Sequence, residues 1–225
     1  MSPKKTSNGQ SGFSLLELLI AMGIMLSLLG IVASLMSQAF SVRARESRQT
    51  DALSTAQAAL NIISREAANS GFGIYVDAET QLGNNGLILA DCGPNRIRFR
   101  ANLNNSGFRT ATNGTTVLST IDPGEDITYF FDAATSSIVR YDPNDTPTTS
   151  VVVNRISNVT FQYFDYAGSS STPIGPNNVP TSNTGRVLIT VDVLLDPVEG
   201  QPDNQRVTFT SEVTLRNSNY MLQQY

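Results

Sequence analysis

The sequence predicts an α+β protein: one long N-terminal helix, then an antiparallel β-sheet head laid on the helix's second half. Three observations carry that prediction. Phe13 to Asn69 contains no proline, and Gly23 and Gly30 are its only glycines, so little in it breaks a helix. From Gly71 the composition turns to Gly, Asn, Ser, Thr and β-branched residues, with short apolar runs between turn residues. The last two runs alternate cleanly, as strands with one buried and one wet face must.

The front of the chain is polar. Met1 to Gly12 carries Lys4 and Lys5 and no acid, and from Leu18 to Val42 the next 25 residues are free of charge. At ~1.5 Å per helical residue such a run covers about 37 Å, enough for a hydrocarbon core of ~30 Å. Glu17 sits at its front edge. A charge inside a membrane segment costs ~3 kcal/mol or more, so it marks a function. A secretory signal has its small-residue cleavage site after the apolar region. Here the small residue, Gly12, comes before it, so a cut after Gly12 leaves the apolar run on the mature chain.

Gly12, then Phe13, then Glu17, then a charge-free helix: this arrangement resembles the type IV pilin and pseudopilin family. The resemblance implies a long helix on a sheet head, cleavage by a prepilin peptidase between Gly12 and Phe13, and methylation of the new Phe13 amine. It implies that Glu17 pairs with a neighbour's free amine as a subunit enters a filament. The physics agrees: a lone carboxylate in lipid is costly until it finds a cation, and that attraction is stronger at low dielectric. The other reading of these residues is a plain signal anchor with a chance glutamate. The implied partners are other major and minor pilins, the prepilin peptidase, an inner-membrane assembly platform and a tip adhesin. The implied location is the inner membrane, single-pass with the head outside the cytoplasm, and then a pilus at the cell surface. Charge alone opposes that orientation, because two lysines precede the span while Arg43, Arg45 and Arg48 follow it. Abundant members of the family usually carry a proline midway along the apolar part, and this run has none.

Beyond the span, Leu53, Ala56, Leu60, Ile63 and Ala67 form one apolar stripe that is expected to pack on the sheet. A coiled-coil seam to another subunit is the alternative. The helix is expected to end at Asn69-Ser70-Gly71, with Gly71 just past its last turn. The stretch Ile62 to Phe72, with its Arg65-Glu66 pair, is similar to the helix end of W-type minor pilins.

Strands are expected at Leu87–Ala90, Arg96–Ala101, Ile127–Asp132, Ser137–Tyr141, Asn158–Tyr166, Arg186–Leu195 and Gln205–Leu215, with Ala133 to Ser136 as a hairpin turn. Val187, Ile189, Val191 and Val193 share a face, as do Val207, Phe209, Val213 and Leu215. Loops are expected at Asn102–Asn113, Asp142–Thr149 and Gly168–Gly185, the last long and mobile. The stretch Asn158 to Asp165, the Arg186-led strand and Leu215-Arg216-Asn217 resemble the C-terminal part of W-type minor pilins and of J-type pseudopilins of type II secretion. The expected organisation is therefore a cleaved leader over 1–12, a transmembrane helix over 13–42, an amphipathic half over 43–70 and a β-rich head over 71–225.

Composition narrows the chemistry. With 15 basic and 19 acidic residues the net charge is −4, and loss of Lys4 and Lys5 makes it more negative. That weighs against a nucleic-acid-binding head, although Arg96, Arg98 and Arg100 alternate on one strand and invite a test in DNA uptake. Having no His excludes His catalysis and His metal sites, and one cysteine, Cys92, excludes an intrachain disulfide. Cys92 lies in a turn and reads as a partly buried thiol or as one half of a mixed disulfide. Two acidic stretches, Asp142-Pro143-Asn144-Asp145 and Asp196 to Asn204, read as solvated turns or, less simply, as calcium loops. No phosphate loop or nucleophile constellation occurs, so no enzyme and no cofactor are expected. The expected function is a W-like minor pilin that primes assembly at or near the filament tip. The alternatives are a J-like pseudopilin and a competence pilin for DNA uptake.

Overall fold

The computed structural model describes residues 12–74, 85–106, 108–110, 116–118, 120–175, 177–195 and 205–222. The fold is α+β: helix α1 (Leu15–Ala68) and then strands, consistent with the pilin fold. The chain divides into two compact units, Met1–Ser47 and Arg48–Tyr225.

In the first unit the described residues are helical from Leu15 onward, and every apolar side chain from Leu15 to Val42 is exposed. It holds the chain's one described helix long and apolar enough to cross a membrane, with a mean hydropathy of 2.5 over its most apolar window.

In the second unit the strands are β1 (Arg96–Arg100), β2 (Phe108–Thr110), β3 (Thr116–Leu118), β4 (Asp126–Asp132), β5 (Ser137–Tyr141), β6 (Thr149–Asn154), β7 (Ile156–Ala167), β8 (Ser170–Pro173), β9 (Thr184–Leu194) and β10 (Arg206–Thr214). A four-residue helix, α2 (Asn219–Leu222), follows. They form two antiparallel four-stranded sheets, β1-β4-β5-β6 and β10-β9-β7-β8, and a β2-β3 ribbon, where the sequence suggested one sheet.

The helix's second half packs on the inner faces of both four-stranded sheets. Ala56, Ala59, Leu60, Ile63 and Ala67 are buried with Ile97, Phe99, Ile127 and Tyr129 from one sheet and Phe161, Tyr163, Ile189 and Val191 from the other. Small alanines let the helix approach closely, and each buried large side chain contributes ~1.5–3 kcal/mol. The stripe therefore serves the head, as expected, with one correction: Leu53 stays 38% exposed, and Ala59 takes the inner place. The helix ends as expected. Gly71 has φ 81°, and its N–H donates to the carbonyl of Arg100 at 2.9 Å. A Cβ on Gly86 would overlap that same amide, so both positions need glycine.

The strands expected near Arg96, Ile127, Ser137, Asn158, Arg186 and Gln205 all form, and Asp132 pairs with Ser137 across the expected hairpin. Leu87–Ala90 does not form a strand. Leu87 makes one bridge to Phe99, and Leu89–Asp91 then winds into a 3-10 turn. The reason is the tight return into β1, closed by bonds from the Asp91 N–H to the Ile88 carbonyl and from the Gly93 N–H to the Arg96 carbonyl. Strand β2 falls inside the expected 102–113 loop, β6 begins at the end of the 142–149 loop, and β8 lies inside the 168–185 loop.

That last segment is also tied down rather than loose. Thr181 and Thr184 donate hydroxyl bonds to Asp165, and the buried Asn85 amide donates to the carbonyls of Thr181 and Thr184 at 3.0 and 2.9 Å. On β10, Val213 is buried but Val207 and Phe209 are only half-buried, because β10 is the outermost strand of its sheet.

Candidate processing and assembly site

The residues singled out by sequence lie together at the start of α1. Gly12 and Phe13 precede the first helical turn, and Phe13 is 87% exposed. Ser14 caps the helix: the Leu16 N–H donates to its Oγ at 3.3 Å, while its own N–H donates to Glu17 Oε2 at 3.3 Å. The two bonds form a capping box, in which Ser and the acid three residues on each satisfy a backbone amide that the helix leaves free.

Sequence reading assigned Glu17 to a neighbour's amine and missed this local role, although Ser14-Leu15-Leu16-Glu17 is the S-x-x-E signature. The carboxylate sits in the first turn, where the helix dipole favours a negative charge. It lies four residues from the nitrogen that a cut after Gly12 would turn into an ammonium.

Several of the head's ionic groups are engaged with one another. Arg98 donates to Asp126 through Nε and Nη2, both at 2.8 Å, and also pairs with Asp91. Arg100 Nε donates to the same Asp126 at 2.8 Å. Donation to these carboxylates, Asp126 foremost, raises the Arg98 pKa. Arg96 lies over the Phe130 ring at 5.5 Å. The three arginines do share a face, but two of them are neutralised by Asp126 and Asp91, which removes the basic stripe a DNA backbone would need.

Glu66, from the helix, accepts from Tyr129 Oη at 2.5 Å and from Arg140 Nε at 3.2 Å. Burial, and then the Glu66 charge, push the Tyr129 hydroxyl pKa up.

Residues 142–145 do form a turn, as expected, with Pro143 exposed, but Asp142 within it is not solvated. It is 1% exposed, and its carboxylate accepts from the N–H groups of Gly124 at 2.6 Å and Asn144 at 3.0 Å and from Arg140 at 3.3 Å. Those donors occupy the lone pairs that a calcium ion would need. The second acidic stretch, 196–204, lies outside the described residues.

Cys92 is a buried free thiol, with Sγ 3.3 Å from both the N and the O of Arg98. Burial pushes its pKa up to about 11. A thiol so placed is inert, which sets aside the mixed-disulfide reading.

A family model described as the prokaryotic N-terminal methylation motif matches residues 7–33. The match spans Gly12, Phe13 and Glu17 and supports a type IV pilin-like protein. Such proteins are structural rather than enzymatic. With the apolar helix, the motif supports membrane anchoring and prepilin peptidase processing. No curated protein and no solved structure matches the chain.

Proposed function

We propose that this chain is a non-enzymatic, W-like minor pilin of a type IV pilus that primes assembly at or near the filament tip. The methylation-motif match over residues 7–33, on the junction and the acid, carries the pilin part of this reading. The W-like, tip-located part rests on the resemblance of the stretches Ile62 to Phe72 and Asn158 to Asn217. In this reading residues 1–12 are a leader cut between Gly12 and Phe13. Residues 13–42 span the inner membrane, 43–70 are the amphipathic half, and 71–225 are the head, outside the cytoplasm. Partners are major and minor pilins, the assembly platform and a tip adhesin. A J-like pseudopilin shares the C-terminal resemblance and differs in where the mature chain is found.

Mass spectrometry of the N-terminal peptide, on sheared filaments and on membranes, tests the reading. A peptide beginning at N-methylated Phe13 in sheared filaments is expected. The same peptide in membranes alone moves the protein to a pseudopilus, and a Met1 terminus in both fractions overturns the proposal. Lys4 and Lys5 are the chain's two lysines. The cut chain is therefore immune to a lysine-specific protease, which gives a second readout.

The two roles of Glu17 are separable, because Gln at this position keeps the capping geometry and loses the charge. With assembly dependent on the charge, Glu17→Gln and Glu17→Ala are both processed and both absent from sheared filaments. Normal incorporation of Glu17→Gln would reduce Glu17 to a cap.

A further inference from the structure

The two four-stranded sheets end in four edges, and three of them are closed to pairing. Along β1, the carbonyl of Arg98 accepts from Ile88, that of Arg96 from Gly93 and that of Arg100 from Gly71. Strand β8 is four residues long and ends in Pro173. Strand β6 carries a register shift opposite Ile138 and Val139 that leaves Val152 unpaired, and bulges of this kind disrupt an edge.

Strand β10 differs from all three. It has nine residues in unbroken register with β9, from Arg206 opposite Leu194 to Thr214 opposite Arg186, and contains no Pro or Gly. No described residue pairs with its far edge. Such an edge is a template for another strand.

Its hydrogen-bonding phase can be read. The Gln205 carbonyl accepts from Leu195 and the Leu215 N–H donates to Gly185, so the odd positions of the strand bond to β9. The N–H and C=O groups of Arg206, Thr208, Thr210 and Glu212 therefore point to the open edge. Their side chains are all exposed on the sheet's outer face.

This edge is complementary to itself. An antiparallel copy centred on Phe209 sets Arg206 opposite Glu212 at both ends and Thr208 opposite Thr210 twice, all in the hydrogen-bonding phase. On the inner face the two half-buried Phe209 rings meet across a non-hydrogen-bonded pair, where Cα atoms approach to ~4.5 Å. We propose that β10 is a self-pairing edge, through which two copies of this chain join their β10-β9-β7-β8 sheets into one eight-stranded antiparallel sheet about a two-fold axis. Opposite charges at the two ends fix the register, and a two-fold pairing leaves no β10 edge open for further growth. The proposal stands apart from the pilin reading, since every residue it uses lies on the head's own sheet.

The test uses the full chain in detergent, with self-association followed by light scattering. A dimer is expected. Arg206→Glu places acid against acid at both ends, and Glu212→Arg places base against base, so each weakens the dimer by roughly tenfold or more. Glu212→Arg also loses the Arg186 contact at 2.9 Å, which makes Arg206→Glu the cleaner variant. Mixed under different tags, the two single variants restore both ion pairs and co-purify. Thr210→Pro removes one N–H from the open edge and none from the β9 ladder, and it too yields monomer. A wild-type monomer, a dimer that survives Arg206→Glu and Thr210→Pro, or single variants that do not pair when mixed each overturn the proposal. Association through the apolar helix would show itself as the second of these.

Discussion

Ile24 and Ile63 are the same residue on the same helix, and they show how differently the two ends of α1 are held. Ile24 is 58% exposed, along with every apolar neighbour on its stretch, while Ile63 is fully buried between two sheets. Among its described residues the first unit buries no apolar side chain, so its apolar surface needs lipid or other helices. The second unit is self-sufficient, built around a buried cluster that includes Phe99, Tyr129, Phe161 and Tyr163. One secondary structure thus does two jobs, and burial separates them.

The sharpest way to break the comparison is to cut both isoleucines to alanine. Ile63→Ala should cost about 4 kcal/mol, since it removes buried methylenes and leaves a cavity between rigid elements. Ile24→Ala should leave the head's melting midpoint unchanged, and any cost should appear in membrane retention. Thermal melts of the two full-length variants in detergent, followed by near-UV circular dichroism, measure both. Equal losses would mean that the first unit also holds a self-contained core.

The carboxylates draw the same contrast at smaller scale. Asp126 is 4% exposed and accepts from two arginines at 2.8 Å, whereas Glu17 is exposed and accepts from the Ser14 amide at 3.3 Å. Asp126→Asn leaves Arg98 and Arg100 short of their shared anion and should cost roughly 3 kcal/mol in a denaturant titration. Glu17→Gln should leave that titration unmoved. A neutral Asp126→Asn would show the ion cluster to be dispensable packing.

Much of this organisation was legible in the sequence, for physical reasons. The long helix shows because proline is absent from Phe13 to Asn69, and the central strands show because Val187 to Val193 alternate with polar residues. The motif at Gly12, Phe13 and Glu17 depends on spacing alone. What stayed hidden depends on contacts between distant residues. Strand β8 lies in a stretch of Ser, Pro and Gly and forms only because Phe164 to Ala167 offer it a partner. Leu87 looks like a strand, yet the return into β1 leaves it a single bridge. The arginines of β1 read as a basic stripe because Asp126 and Asp91, their neutralisers, arrive from other parts of the chain. The capping box is readable in Ser14-Leu15-Leu16-Glu17, where one acid fits both the local cap and the expected pairing with a neighbour.

The smallest effect concerns Cys92, and its sign is fixed by burial. Its folded pKa lies near 11 against an ordinary 9.0, raised chiefly by desolvation. Below pH 9 the thiol is neutral in both states, so its contribution is fully present. Between pH 9 and 11 the unfolded chain gains a thiolate that the folded head refuses, and stability falls by on the order of 2 kcal/mol. Burial also pushes the Tyr163 hydroxyl up, and that residue adds its own alkaline loss. The thiol's share is isolated by comparing melts at pH 8 and pH 10.5 for the wild type and Cys92→Ala. The variant should start lower, because a buried side chain is trimmed, but should lose less between the two pH values. Equal losses in both proteins would mean that Cys92 already ionises in the folded head. In that case maleimide would label the native protein at pH 8, where a buried neutral thiol stays unreactive.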